Sequence, residues 1–209
     1  GRSQLSSQAE SSGESIDLCK NNHNQLWVDK YSPHSFTDLV SDDKTNRLLL
    51  SWIKLWDECV FKKPIAEINS ANQEFLSLDT GNPRRPKYKV VLIAGHAGTG
   101  KTTLATVVAK HAGYSITEVN ASDDRNVAVF ERRIEDSMRT VRTLDAGKKP
   151  LCLLLDEIDG APADSIRVLC DISNKTGKKC IRRPIICICN NLYTPSLREL
   201  RAIALVLQM

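Results

Sequence analysis

Three stretches of this 209-residue chain carry residue types and spacings suited to phosphate chemistry. The first is Gly95-His96-Ala97-Gly98-Thr99-Gly100-Lys101-Thr102-Thr103, with the spacing G-x-x-x-x-G-K-T. Its glycines allow a backbone to wrap with its N–H groups turned toward an anion. Lys101 then supplies a charge for the β- and γ-phosphates of a nucleoside triphosphate, and the Thr102 hydroxyl a ligand for Mg²⁺. The second is Leu151-Cys152-Leu153-Leu154-Leu155-Asp156-Glu157, an apolar run that ends in two carboxylates. Asp156 is suited to help hold the metal. Glu157 is suited to take a proton from a water attacking the γ-phosphate, work that contributes about 10²–10⁴-fold. The third, Ile185-Ile186-Cys187-Ile188-Cys189-Asn190, ends in an amide that could face the γ-phosphate and orient that water. On its own it is weak, because asparagine commonly ends strands as a turn residue.

These residues work only if strands and helices hold them at one edge. Val90–Ala94 is a short, continuous apolar run, as in a strand covered on both faces. After the glycine loop, Leu104, Val107, Val108 and His111 share one face at helical spacing, and Gly113 closes that helix. Further strands are predicted at Ile116–Asn120, Leu151–Leu155, Ile185–Cys189 and Ala204–Leu207. Helices are predicted from about Asp124 to Leu144, marked by Phe130, Ile134, Met138 and Val141, and over Ala163–Asn174. Alternating strands and helices imply a parallel sheet with helices on both faces, an α/β fold.

The N-terminal half is organised differently. Residues 1–25 are polar and poor in apolar side chains, which predicts disorder. In residues 26–57, Leu26-Trp27-Val28 and Tyr31-Ser32-Pro33 read as an extended lead-in. A helix follows with Ser41 as its cap and an apolar stripe of Leu48, Leu49, Trp52, Ile53, Leu55 and Trp56. Residues 58–89 read as a connector or insertion. Its basic cluster, Arg84, Arg85, Lys87 and Lys89, belongs either to a solvated linker or to a phosphate contact. Residues 90–209 form the core.

Bulk composition narrows the class. Hydrophobic residues make up 41% and charged residues 26%, as in an ordinary globular protein, and no apolar run approaches a membrane span. The net charge of +4 is compatible with nucleic acid without arguing for it. Seven cysteines, without a C-x-x-C, read as reduced, buried thiols.

Taken together, the glycine loop, Asp156-Glu157 and Asn190 resemble the Walker A, Walker B and sensor-1 elements of the AAA+ ATPases, a branch of the P-loop NTPases. Within that group the chain is similar to clamp loaders of the replication factor C type. Trp27-Val28-Asp29-Lys30-Tyr31-Ser32-Pro33 is similar to their W-x-E-K-Y-R-P motif, with Asp29 for Glu and Ser32 for Arg. Asn120-Ala121-Ser122-Asp123-Asp124-Arg125 matches their N-A-S-D-x-R stretch, with Asn126 where Gly is usual. The similarity is greatest to large subunits of the alternative loaders used in sister-chromatid cohesion. It rests on Ser41–Arg47, Trp52–Asp57, Asp156–Pro162 and Arg183–Asn190.

The resemblance implies a five-stranded sheet in the order 5-1-4-3-2 and an ATPase using ATP and Mg²⁺. It implies that Val28 and Val40 flank the adenine, that Gly95 to Thr103 hold the phosphates, that Thr102 and Asp156 bind Mg²⁺, and that Lys101, Glu157 and Asn190 act in hydrolysis. Arg125, Asn126, Arg132 and Arg133, on the helix starting near Asp124, become candidates to face DNA, with a solvated basic face as the alternative. The implied partners are small replication factor C-type subunits, a sliding clamp and primer–template DNA, in a hetero-oligomer of the nucleus. Two departures qualify this. Small loader subunits carry Ser-Arg-Cys, where this chain has Arg201-Ala202-Ile203, so a neighbour should supply the arginine finger, worth about 10³–10⁵ in turnover. The helical lid of the family is missing after the fifth strand, so the chain reads as C-terminally truncated and weak in hydrolysis alone. A nucleotide-binding scaffold and another AAA+ DNA-remodelling ATPase remain the alternatives.

Overall fold

A computed structural model describes residues 26–65, 76–79, 84–123, 127–139, 149–175 and 180–209. The expected disorder of residues 1–25, the mid-connector and Arg125 with Asn126 lie outside the described residues. The chain divides into two units, Gly1–Ser32 and Pro33–Met209. In the first, residues expected to be extended form a single helical turn, α1 (Trp27–Lys30). It is closed by backbone bonds from the Lys30 N–H to the Leu26 carbonyl and from the Tyr31 N–H to the Trp27 carbonyl. Trp27 is 81% exposed, so tertiary burial is not what makes this turn.

The second unit is built on five strands: β1 (Val90–Ala94), β2 (Ser115–Asn120), β3 (Leu151–Asp156), β4 (Ile185–Cys189) and β5 (Leu205–Gln208). All pairings are parallel, and the order is β2-β3-β4-β1-β5, the expected 5-1-4-3-2 seen from the other edge. β1 and β4 are buried at every position, as their unbroken aliphatic runs require. β2 lies on an edge and is mostly half-buried, in keeping with its mixed sequence.

Topology fixes which helices cover which face. The chain moves from β1 through α4 (Lys101–His111) outward to β2, then reverses direction. It returns through α5 (Val127–Arg139), α6 (Ala163–Asn174) and α7 (Arg198–Ile203) to β3, β4 and β5. Right-handed crossovers therefore put α4 on one face and α5, α6 and α7 on the other. The packing agrees: α4 meets α2 (Asp43–Lys54), while α6 lies between α5 and α7. β1 and β4 send their helices to opposite faces, so the carboxyl ends of these neighbours flank the crevice where α/β sheets take ligands.

Three local expectations are revised. Asp42, not Ser41, caps α2: its carboxylate accepts from the Thr45 backbone N–H at 3.1 Å. Ser41 instead donates to Asn46 Oδ1 at 2.6 Å, and Asn46 Nδ2 returns a bond to the Ser41 carbonyl, which satisfies a buried amide. His111, counted in the apolar stripe of α4, is exposed and stacks on Phe36. Much of the connector's basic cluster is engaged in contacts with the fold. Arg84 pairs with Glu58 on α3 (Asp57–Phe61), Arg85 pairs with Asp79 at 3.0 Å, and Lys89 Nζ donates to the Ser173 carbonyl. Among the described residues no helix is long and apolar enough to cross a membrane.

Trp52 ties α2 to the lead into β1. It is fully buried, stands edge-on to Trp56, and its indole N–H donates to the Tyr88 carbonyl at 2.7 Å. Trp52→Phe keeps an aromatic ring and removes the donor, leaving that carbonyl without its partner. The expected loss is about 1–3 kcal/mol, read as a lower urea midpoint at unchanged m-value.

Candidate functional site

Register brings the expected residues together. Ala94 pairs with Cys189 across β1 and β4, so Gly95 and Asn190 leave the sheet side by side. Asn120 pairs with Asp156 across β2 and β3, so Glu157 emerges beside the end of β2. Four strand ends thus share one edge, and the turn from β1 into α4 folds over it.

Lys101 opens α4, preceded by Gly100 at φ 85°, a left-handed conformation that costs an L side chain and suits glycine. Gly95 is constrained from outside. A Cβ there would stand 2.8 Å from the Met209 carbonyl oxygen, because the chain leaving β5 runs against it. The Lys101 side chain is 6% exposed and donates three bonds: to the Gly95 carbonyl at 2.9 Å, the His96 carbonyl at 2.7 Å and Asn190 Oδ1 at 2.9 Å. An ammonium has three donors and no acceptor, so this set satisfies it completely. Thr102 Oγ1 donates to Asp156 Oδ2 at 2.8 Å. These two oxygens are hard donors of the kind Mg²⁺ takes, and the pair fits that ion.

Glu157 sits at φ 52°, one of two non-glycine residues with positive φ among those described. Its backbone N–H donates to Asp156 Oδ1 at 2.8 Å, which holds the bend. Its carboxylate Oε2 faces Ser122 Oγ at 3.0 Å and Asn120 Nδ2 at 3.4 Å. Ser122 Oγ also lies 2.7 Å from Asn120 Oδ1. No local sequence signal marks Asn120 or Ser122 as a partner of Glu157. Register across β2 and β3 is what makes them neighbours of the candidate base. Asp159, in the 3-10 turn Ile158–Gly160, accepts from the backbone N–H groups of Asn190 at 3.3 Å and Asn191 at 3.0 Å. No local sequence signal marks that contact.

Gly98, Gly100, Lys101, Thr102, Thr103, Asp156, Glu157 and Asn190 line one open cleft of about 400 Å³, joined by Ala97 and Ile188. Gly95 and His96 contribute the carbonyls that hold Lys101, and Thr99 donates its hydroxyl to the His96 carbonyl. Val40, expected at the adenine, is fully exposed and does not line the cleft; Val28 lies in the other unit, on α1. Arg132 is exposed on α5, 3.8 Å from Asp136, and Arg133 is exposed beside it. On α7, the Arg201 guanidinium stacks over the Tyr193 ring at 5.2 Å, and Ala202 stands at the position compared with the finger arginine. Among the described residues no cluster of His, Cys, Asp or Glu could hold a metal by itself.

Residues 91–203 match the ATPase family associated with various cellular activities (AAA). The chain is 40% identical to the chromosome transmission fidelity protein 18 homolog of Xenopus laevis, over 95% of this chain and 24% of that protein. It is 42% identical to the Homo sapiens homolog, over 87% of this chain and 23% of that protein. Similarity extends at 32% to replication factor C subunit 1 of Schizosaccharomyces pombe, over 84% of this chain and 18% of that protein. The chain thus spans about a quarter of the length of the first two of these curated relatives.

Cys189, the residue before Asn190, offers a probe of this edge. Burial, and secondarily the Asp159 carboxylate, push its thiol up to about 11, while Lys101 pulls the other way. The folded value lies above the unfolded one of 9.0, so the neutral thiol favours folding. That contribution is complete below pH 9 and is lost as pH rises through about 11. Native protein at pH 8.5 is expected to resist alkylation at Cys189 until denaturant is added, followed by peptide mass spectrometry. The fall in stability between about pH 9 and 11 should shrink in Cys189→Ala.

Proposed function

The chain belongs to the AAA family of ATPases, and on that premise we propose that it is the ATP-binding and ATP-hydrolysing module of a clamp-loader large subunit of the chromosome transmission fidelity protein 18 kind. The observation that carries the catalytic part is the shared edge. Lys101 and Asn190 touch each other, Thr102 and Asp156 touch each other, and Glu157 stands beside them in one cleft.

In this reading the loop Gly95 to Thr103 wraps the phosphates with backbone N–H groups at the start of α4, where the helix adds partial positive charge. Lys101 exchanges its carbonyl partners for phosphate oxygens. Thr102 and Asp156 hold Mg²⁺, which when bound neutralises charge developing on the transferring phosphoryl group. Asn190 contacts the γ-phosphate side and Glu157 accepts a proton from the attacking water. Ala202 stands where the small subunits carry a finger arginine for their neighbours, so this chain offers none there, and a finger for its own site would come from a neighbouring subunit. The assembled protein would couple ATP to loading or unloading a sliding clamp on primer–template DNA, with small replication factor C-type subunits as partners. Arg125, Asn126, Arg132 and Arg133 would face the DNA backbone. Its compartment is then the nucleus and its process DNA replication with sister-chromatid cohesion.

A second reading, a nucleotide-binding scaffold with little hydrolysis of its own, draws on one observation. The Glu157 carboxylate is already engaged at Oε2 by Ser122 and Asn120, so a water must compete for that oxygen or approach through Oε1.

Full-length protein reconstituted with small loader subunits, clamp and primed DNA separates these readings. Glu157→Gln is expected to leave ATP-analogue binding intact and to lower steady-state hydrolysis at this site about 10²-fold or more. Unchanged ATPase and clamp-loading rates in that variant would favour the scaffold. Lys101→Ala is expected to weaken binding of a fluorescent ATP analogue by at least about tenfold, the scale of a charge-assisted hydrogen bond. Equal binding would remove the phosphate-loop assignment itself.

A further inference from the structure

We infer that Asp159 is a positioning residue for nucleotide discrimination, fixing the turn that aims Asn190 at the phosphate loop; this rests on the nucleotide-site reading above. β4 ends at Cys189, and beyond it the backbone N–H groups of Asn190 and Asn191 lie outside the paired registers of the sheet. The Asp159 carboxylate oxygen Oδ2 accepts both, at 3.3 and 3.0 Å. One ionised oxygen holding two successive N–H groups restrains the turn at both residues, and bonds to a charged acceptor are stronger than neutral ones.

The consequence falls on the Asn190 side chain. Lys101 Nζ only donates, so the amide must present Oδ1 to it, as seen at 2.9 Å. With Oδ1 so committed, the Nδ2 donors project from the other side of the amide group in the cleft that Asn190 lines with Gly98, Lys101 and Glu157. A donor held there favours a ligand with one more phosphate oxygen within reach. Asp159 belongs to the turn that begins at Glu157, so a single short turn positions both the candidate base and the amide. Asp159 itself does not line the cleft, which separates its role from that of Asn190.

The test uses the full-length protein and reads affinities for fluorescent ATP and ADP analogues separately. Asp159→Ala is expected to weaken ATP about tenfold while leaving ADP unchanged, the scale of losing bonds to a charged partner. Asp159→Asn keeps an acceptor oxygen of the same reach and should retain most of the preference. The double variant Asp159→Ala/Asn190→Ala should be no worse than Asn190→Ala alone, because one residue acts through the other. Equal loss of ATP and ADP affinity, additive effects in the double variant, or no ATP preference in the wild type would each overturn the inference. The two readings fail differently. Lys101→Ala without effect on either nucleotide ends the nucleotide-site reading. Lys101→Ala weakening both, with Asp159→Ala silent, ends only the role of Asp159.

Discussion

The arrangement depends on one buried cation. Lys101 is nearly enclosed, and an ammonium in that position is tolerable only if every N–H finds an oxygen. Two of its oxygens are backbone carbonyls of the loop that follows β1, and the third is a side-chain amide that follows β4. The charge therefore pins two non-consecutive segments to each other. It sets the curvature of the glycine turn, keeps α4 close over the sheet edge and holds Asn190 against the loop. Because those partners are neutral, the charge is solvated without being cancelled, and a phosphate could take their place.

Much of this was legible from the chain because the signals are local. A glycine loop between an apolar run and an amphipathic helix carries its own context, and β1, β3 and β4 are too apolar to lie anywhere but inside a sheet. Strand order followed from the family resemblance, and it agrees with the pairing observed. What escaped were contacts between segments far apart in sequence. Asp159 reaches the end of β4, Ser122 and Asn120 reach Glu157, and Arg84 reaches Glu58, each across a long separation that no periodicity reports. Asp42 escaped for the opposite reason. Two capping-competent residues stand side by side before α2, and the buried Asn46 amide drew Ser41 away. The single turn at α1 escaped because seven residues that include a proline look extended by composition.

The edge also shows how a parallel sheet distributes labour. β1 and β4, at its centre, are fully buried and contribute backbone position and one amide. The ends of β2 and β3 contribute a second amide, a hydroxyl and two carboxylates: Asn120, Ser122, Asp156 and Glu157. Glu157 is exposed, Asp156 half-buried and Lys101 the most enclosed of the three, and all of them line the same open cleft.

The left-handed backbone at Glu157 has an evolutionary consequence. A glutamate held at φ 52° pays a conformational cost that glycine or asparagine would escape. Selection for heat resistance alone would therefore favour replacing it, and each such replacement would remove the carboxylate proposed above as the base. Under the role proposed for Glu157, stability screens would enrich variants that lack the base, so a thermostabilised library would need filtering for turnover at every round.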